Sequence, residues 1–270
     1  MRVPGKVFVV TGGGNGIGRE VVRALLDRGA RVAAVDVSAD GLAGTASAVA
    51  LAGERLTTHV VDLTDRAAVE ALPEAVISAH GAVDGVLLVA GIIQPFLRIA
   101  DLPIEKLQRV MDVNFYGPVH MVKAFLPHLR TRPEAHLVGV SSMGGFVPVP
   151  GQTGYGASKA ALKLLFEGLH GELADTPVRV TVVFPGAVGT NIAVNSGALN
   201  PAVEAAMKAS SNAPMLTAAE AARQILDAME ANRFRATVGK DAWFLDVLSR
   251  LAPARAAAFV ARQMKSLLGG

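Results

Sequence analysis

Lys6-Val7-Phe8-Val9-Val10-Thr11-Gly12-Gly13-Gly14-Asn15-Gly16-Ile17-Gly18 decides the architecture of this chain. An apolar run of strand length ends in a glycine-rich turn. Beyond the turn, Val21, Val22, Leu25 and Leu26 recur at helical spacing until Gly29 stops the pattern. Strand, loop and helix in that order bring bare backbone to a helix N-terminus, where glycines admit a phosphate and the helix end attracts its charge. A glycine-rich turn alone is often only structural; the strand before it and the helix after it favour a nucleotide here.

The same alternation continues outward. Arg31–Asp36 is a second apolar run, and Ser38 can cap an alanine-rich helix ending near Gly53. Thr57–Leu63, Val83–Ala90, Ala135–Ser141 and Val178–Phe184 read as buried strands, with helices near residues 65–80, 104–130 and 154–174. Continuous apolar strands separated by helices predict an α/β fold: a single-domain, Rossmann-type three-layer sandwich whose doubly wound parallel sheet has about seven strands flanked by helices. Within residues 1–270 the cofactor and catalytic core is expected over 1–190. Residues 191–216, where periodicity fades, are expected to form a mobile substrate lid. In residues 217–270, Thr217 and Glu220 form a capping box, a short strand is expected at Arg235–Val238, and Pro253 breaks the terminal helices.

Composition narrows the chemistry. With 270 residues, 51% of them hydrophobic, the chain can bury a large core. The absence of cysteine excludes disulfides, thiol catalysis and thiolate-bound zinc, and the six histidines show no ligand spacing, so no metal is expected. Apolar stretches such as Val86–Ile93 are strand-length and no secretory signal precedes Lys6, which makes the cytoplasm the expected compartment. The net charge of +3 is uneven: residues 231–270 hold seven Lys or Arg against Asp241 and Asp246, giving +5 there and −2 elsewhere. Phe259, Val260, Met264, Leu267 and Leu268, with Arg255, Arg262 and Lys265, outline an amphipathic terminal helix expected to pack on protein, with membrane docking the minority reading. A nucleic-acid partner is not expected at 5% aromatic residues and without a binding module.

Asp36 ends the second strand twenty residues after Gly16, where a carboxylate accepts both ribose hydroxyls of an adenosine and repels a 2′-phosphate. NAD is therefore expected over NADP. No Lys or Arg stands at Asn15, Val37 or Ser38, although Arg19 is near. The expected cofactor wall comprises Gly12, Gly14, Asn15, Gly16, Ile17, Gly18, Asp36 and Val37, then Asp62 and Leu63 at the adenine, and Ala90-Gly91 after the fourth strand.

Tyr155 and Lys159 stand four apart in Tyr155-Gly156-Ala157-Ser158-Lys159, thirteen residues after Ser142. That spacing shares a helix face, so the ammonium can sit beside the phenol and favour its ionised form. Bringing a phenol from pH ~10 to neutrality takes about 4 kcal/mol. One charge at ~5 Å and an effective dielectric of ~20 supplies roughly 3 kcal/mol of it.

Taken together, the chain from Lys6 to Thr190 resembles the short-chain dehydrogenase/reductase family. The T-G-x-x-x-G-x-G loop is Thr11–Gly18, the active-site serine is Ser142, and the Y-x-x-x-K pair is Tyr155 and Lys159. By that resemblance, Asn114 in Asp112-Val113-Asn114-Phe115 anchors a proton-relay water, and Pro185-Gly186-Ala187-Val188-Gly189-Thr190 holds the nicotinamide carboxamide through the Val188 backbone and the Thr190 hydroxyl. One departure is plain: Leu88-Val89-Ala90-Gly91 replaces the usual Asn-Asn-Ala-Gly and removes a polar brace. The implied activity is NAD-dependent interconversion of a hydrophobic secondary alcohol and its ketone, with Tyr155 as general acid and base, Ser142 holding the substrate oxygen, and Tyr155 and Lys159 also facing the cofactor, Lys159 bonded to the nicotinamide ribose. Ile93, Gln94, Phe96, Met143, Phe146 and Gln152 are the expected substrate walls, joined by Val147, Met207 and Met215, with Gln94, Gln152 and Asn195 expected to orient one polar group. The resemblance also implies a homotetramer or homodimer built on the helices near 104–130 and 154–174. Three other readings compete: an inactive NAD-binding sensor or scaffold, an NADP-dependent ketone or ketoacyl reductase, and a methyltransferase on a similar sheet.

Overall fold

The computed structural model describes residues 1–199 and 215–264. Valine-rich segments become strands buried on both faces: β1 (Val7–Thr11), β2 (Arg31–Asp36), β4 (Gly85–Leu88), β5 (Ala135–Val140) and β6 (Val178–Pro185), with β3 (Leu56–Val60) and β9 (Arg235–Val238) at the edges. Intervening helices are α1 (Gly16–Asp27), α2 (Ala39–Ala48), α3 (Arg66–His80), α4 (Ile104–Met111), α5 (Gly117–Leu129) and α6 (Thr153–Glu172). The seven strands pair in the order β3-β2-β1-β4-β5-β6-β9, every pair parallel. Strand order reverses between β1 and β4, and a doubly wound sheet opens its ligand crevice at the carboxyl ends beside such a reversal.

Two apolar layers sandwich the sheet. On one face Val21, Val22, Leu25 and Leu26 of α1 pack with Phe8, Val10 and with Ile225, Leu226 and Met229 of α8 (Ala218–Glu230). On the other, Leu72 and Val76 of α3, Phe125 of α5 and Phe166 of α6 close over Val9, Leu88 and Leu137. Last come α9 (Lys240–Leu251) and α10 (Pro253–Met264), split where Pro253 was expected to break the chain; Leu245 and Val260 from these helices pack against Val147.

Several boundaries differ from the sequence reading. Helix α2 ends at Ala48 and gives way to a 3₁₀ turn, Ala50–Arg55, in which Gly53 takes φ 56°. The long helix expected over 104–130 is interrupted by a π-helical turn, Asp112–Tyr116, that carries Asn114. Within 191–216, only α7 (Ile192–Asn195), the residues that follow it to 199, and 215–216 are described; β7 (Val188–Gly189) pairs with β8 (Leu216–Thr217) beside them. Met207 lies outside the described residues, as do Lys265, Leu267 and Leu268. Among the described residues no helix is long and apolar enough to cross a membrane, and no three His, Asp or Glu side chains are grouped as a metal site.

One buried histidine sets a pH dependence. His136 on β5 is fully buried, and its Nε2 lies 2.8 Å from the Thr181 hydroxyl, which itself donates to the Arg233 carbonyl at 2.6 Å. Nε2 must therefore carry the proton, which leaves Nδ1 a buried acceptor without a partner. Burial pushes this imidazole down to about 3. A folded state that keeps it neutral is fully favoured above the unfolded value of about 6.5 and loses stability as pH falls below it. Burial shifts His59 and His80 in the same direction. Denaturant unfolding should show a loss of about 2 kcal/mol between about pH 6.5 and pH 5 from His136 alone. His136→Gln should flatten that part of the slope; an unchanged slope would contradict the assignment.

Candidate active site

The glycine loop forms the floor of a crevice of about 370 Å³ at the carboxyl ends of β1, β2 and β4. Gly12 and Gly16 adopt φ 72° and 50°, a region that side chains disfavour. At Gly18 a Cβ would overlap the Gly12 carbonyl, so α1 can begin this close to the loop only with glycine there. Of the expected cofactor wall, Gly12, Asn15, Gly16, Ile17, Gly18, Asp36, Val37, Asp62, Leu63, Ala90, Gly91 and Thr190 line the crevice. Ser38, Val113 and Ile192 line it too and were not anticipated, because contact across loops leaves no local pattern; Asn195, expected to orient a polar group of the substrate, lines it as well. These residues fit a dinucleotide: bare backbone at a helix start for a diphosphate and a carboxylate at the far wall for a ribose.

Gly14 does not line the crevice; its N–H donates to Asp36 Oδ2 at 2.9 Å, while the Ser38 N–H donates to Oδ1 at 2.9 Å. The Asp36 carboxylate is thus fixed at the crevice wall from two sides. Arg19, the cation whose reach left a 2′-phosphate open, is turned inward, donating to the carbonyls of Gly14 and Gly41 and to the Thr45 hydroxyl. Asp62 accepts from the Thr64 amide and hydroxyl and from Arg109. Burial alone would raise its carboxyl, but those bonds and the Arg109 charge outweigh it and hold it below the usual range. The Leu63 carbonyl lies 3.1 Å from His120 Nδ1. The polar brace missing from Leu88-Val89-Ala90-Gly91 has a replacement: the Thr11 hydroxyl accepts from the N–H groups of Val89 and Ala90 at 3.0 and 3.1 Å.

Behind Gly91 stand the candidate catalytic groups. A Cβ there would come within 3.0 Å of Lys159 Nζ and 3.3 Å of Asn114 Oδ1, so the bare α-carbon makes room for these side chains as well as for a ligand. Lys159 is 3% exposed, donates to the Val140 carbonyl at 3.0 Å, and sits 6.0 Å from the Tyr155 ring centre. Tyr155 shares a hydrogen bond with Ser142, whose hydroxyl also accepts from the Gly144 amide at 3.1 Å. The three side chains expected from the sequence therefore converge at the end of β5 and the start of α6.

Their electrostatics correct the expectation of a simply acidified phenol. Burial pushes the Tyr155 hydroxyl above its ordinary value, and the Ser142 hydrogen bond only partly offsets this. Burial likewise lowers the Lys159 amine to about 8. Desolvation, which spacing along a helix does not reveal, dominates both groups. Asn114 stands beside them. Its carboxamide is fully buried: Oδ1 accepts from the Ile92 N–H at 2.8 Å and Nδ2 donates to the Ile92 carbonyl and the Ser158 hydroxyl at 2.9 and 3.0 Å. With both ends engaged by protein, the side chain braces the loop after β4 against α6.

Pro185 and Gly186 end β6 away from the crevice lining, held by the Gly186 N–H to the Val238 carbonyl at 2.9 Å. Gly186 backs on the Asp241 carboxylate, which accepts from the Ala187 N–H at 2.7 Å. The Val188 carbonyl accepts from the Thr190 N–H at 2.9 Å, and the Thr190 methyl faces Gly16 across the crevice mouth. Of the expected substrate walls, Ile93, Phe96, Met143 and Phe146 are partly buried, with Phe146 edge-on to Phe184 at 5.4 Å. The Ile93 N–H donates to the Ser196 hydroxyl at 3.0 Å, joining this wall to the segment after α7. Gln94 and Gln152, expected to orient a substrate, are instead buried and bonded to protein.

Comparison with known proteins places this geometry. The family model described as short chain dehydrogenase matches residues 6–200. A curated relative, 1-deoxy-11-beta-hydroxypentalenate dehydrogenase of Streptomyces avermitilis, is 36% identical over 245 residues, covering 90% of this chain and 87% of its own. A short-chain dehydrogenase/reductase from Burkholderia phymatum solved with NAD superposes with a TM-score of 0.82 at 25% identity, covering 99% of this chain and 96% of that one. A short chain dehydrogenase from Burkholderia cenocepacia solved with NADP gives 0.80 at 26% identity, over 96% and 99%.

Proposed function

Since the chain belongs to the short-chain dehydrogenase/reductase family, oxidoreductases acting on CH–OH groups with a nicotinamide cofactor, we propose that it interconverts a hydrophobic secondary alcohol and its ketone with NAD in preference to NADP. The observation that carries this reading is the convergence of Tyr155, Ser142 and Lys159 immediately behind the crevice wall at Gly91.

Bound in the crevice, the cofactor supplies the hydride acceptor or donor. Each remaining task falls to the chain. The Tyr155 hydroxyl takes the alcohol proton during oxidation and returns it during reduction, while the Ser142 hydroxyl donates to the same substrate oxygen. Lys159, held against the Val140 carbonyl, keeps positive charge near a phenol that burial would otherwise leave protonated. Asn114 fixes the loop after β4 and, through Ser158, the first turns of α6. The Val188 backbone and the Thr190 hydroxyl are the groups that would hold the carboxamide in this reading. The partly buried apolar walls favour binding by area, which suits a hydrophobic substrate better than a sugar. The name of the S. avermitilis relative, a dehydrogenase of a hydroxylated compound, supports the oxidative direction. Exposed Ile104 on α4, Tyr116 and Leu164 on α6 support a homodimer or homotetramer assembled through these helices.

Preference for NAD rests on Asp36 at the crevice wall and on Arg19 being engaged elsewhere. Asp36→Ala should move the kcat/KM ratio of NAD to NADP by about 100-fold toward NADP, through lost ribose bonds and lost repulsion of a 2′-phosphate. An unchanged ratio would contradict the assignment. The reading as a whole is tested by following reduced-nicotinamide absorbance across a panel of apolar secondary alcohols and ketones, with NAD and NADP in parallel. NAD-linked turnover is expected; binding of nucleotide without turnover of any of them would favour a sensor or scaffold.

A further inference from the structure

We infer that Gln94 is a positioning residue for Tyr155, serving from outside the helix as the N-cap of α6. The first turn of any helix presents backbone N–H groups without intrahelical partners, and the N3 group is the one an N-cap side chain commonly satisfies. In α6 the N-cap is Gln152 and N3 is Tyr155 itself. Gln152 does not cap: its Nε2 donates to the Gln94 carbonyl at 2.7 Å. Gln94, arriving from the loop after β4, takes over. Its Oε1 accepts from the Tyr155 N–H at 3.1 Å and its Nε2 donates to the Gly151 carbonyl at 3.0 Å. These two partners, one donor and one acceptor, fix which way the amide points.

The fit is close. Gln94 is 1% exposed, and a Cβ at Gly154 would lie 2.7 Å from its Oε1. Glycine at 154 is thus what allows a side chain from another element to reach the helix end. On the other side of the same residue, the Tyr155 carbonyl accepts from the Ser158 hydroxyl at 2.7 Å, and Ser158 accepts from Asn114 Nδ2 at 3.0 Å. Asn114 also grips Ile92, two residues before Gln94. Tyr155 is therefore held at both its N–H and its C=O by a hydrogen-bonded circuit running Asn114, Ile92, Gln94, Tyr155, Ser158 and back to Asn114. Loosening one link lets the phenol shift against Ser142 and Lys159, and small misplacements of a reacting group cost far more in rate than in stability.

This inference deepens the proposed function and rests on it for its kinetic arm only. Sequence supplies a second readout: the chain has two tyrosines, Tyr116 and Tyr155, and Tyr116 is exposed on the π-turn. In a Tyr116→Phe background the tyrosinate absorbance reports Tyr155 alone. Gln94→Met, which keeps the bulk and removes the acceptor, should change the Tyr155 titration midpoint by about half a unit or more. It should also lower kcat by about tenfold or more, with NAD(H) affinity held within about twofold. An unshifted midpoint in a folded Gln94→Met protein overturns the inference. So does a loss of kcat matched by equal losses of cofactor affinity and thermal stability. If the parent protein turns over no alcohol, the dehydrogenase reading fails, and the absorbance titration still decides the role of Gln94.

Discussion

Tyr155→Phe should reduce kcat for alcohol oxidation by about 10²- to 10⁴-fold while NAD affinity stays within about twofold. The change removes one oxygen and leaves the ring, its burial and the 6.0 Å spacing from Lys159 Nζ to the ring centre in place. The Gln94 and Ser158 bonds to residue 155 are made by its backbone and survive as well. What disappears is the proposed proton acceptor and the partner of Ser142. Because crevice-lining residues such as Gly12, Asp36 and Gly91 are untouched, nucleotide binding measured by calorimetry should be nearly unchanged. Retention of more than about a tenth of the parent kcat would remove Tyr155 from the proton-transfer role.

Gly18→Ala should abolish nucleotide binding or folding outright. Only a methyl group is added, yet it would occupy the position of the Gly12 carbonyl. Neither group is the end of a flexible side chain; both belong to the backbone where β1 passes into α1. Relief requires the loop to move away from α1, and with it Gly12, whose own Cβ position is already 3.0 Å from the Ala90 backbone. A loss of at least about 100-fold in NAD affinity is expected from calorimetry, with thermal unfolding shifted down by several degrees, since overpacking of this kind costs about 1–3 kcal/mol or more. Gly168, with open space around it on α6, is the control: Gly168→Ala should leave both quantities close to the parent values.

What the sequence disclosed and what it withheld divide along one physical line. Local patterns were legible: the valine-rich strands, the glycine loop, the i and i+4 relation of Tyr155 to Lys159, the Thr217 cap and the break at Pro253 all depend on neighbours within a few residues. Burial and long-range pairing were not. Tyr155 and Lys159 share a helix face as expected, but the desolvation that raises the one and lowers the other comes from β5 and the loops packed over α6. Arg19 follows the glycine loop in sequence, yet nothing in its spacing shows that Gly14, Gly41 and Thr45 hold its guanidinium. Gln94 gave no sign of capping a helix that begins 59 positions later, since the bond to Tyr155 spans 61 residues. Asn114 was identified by motif, whereas the π-turn that bears it leaves no signature in hydrophobic spacing.

The central claim, that these residues transfer a hydride between a carbinol carbon and a nicotinamide, is tested most directly with an isotope. The secondary alcohol turned over fastest in the panel is prepared with deuterium on its carbinol carbon and incubated with enzyme and NAD. The account predicts that the label appears on the nicotinamide ring of the reduced cofactor. Deuterium recovered in solvent, with none on the nicotinamide, would contradict it.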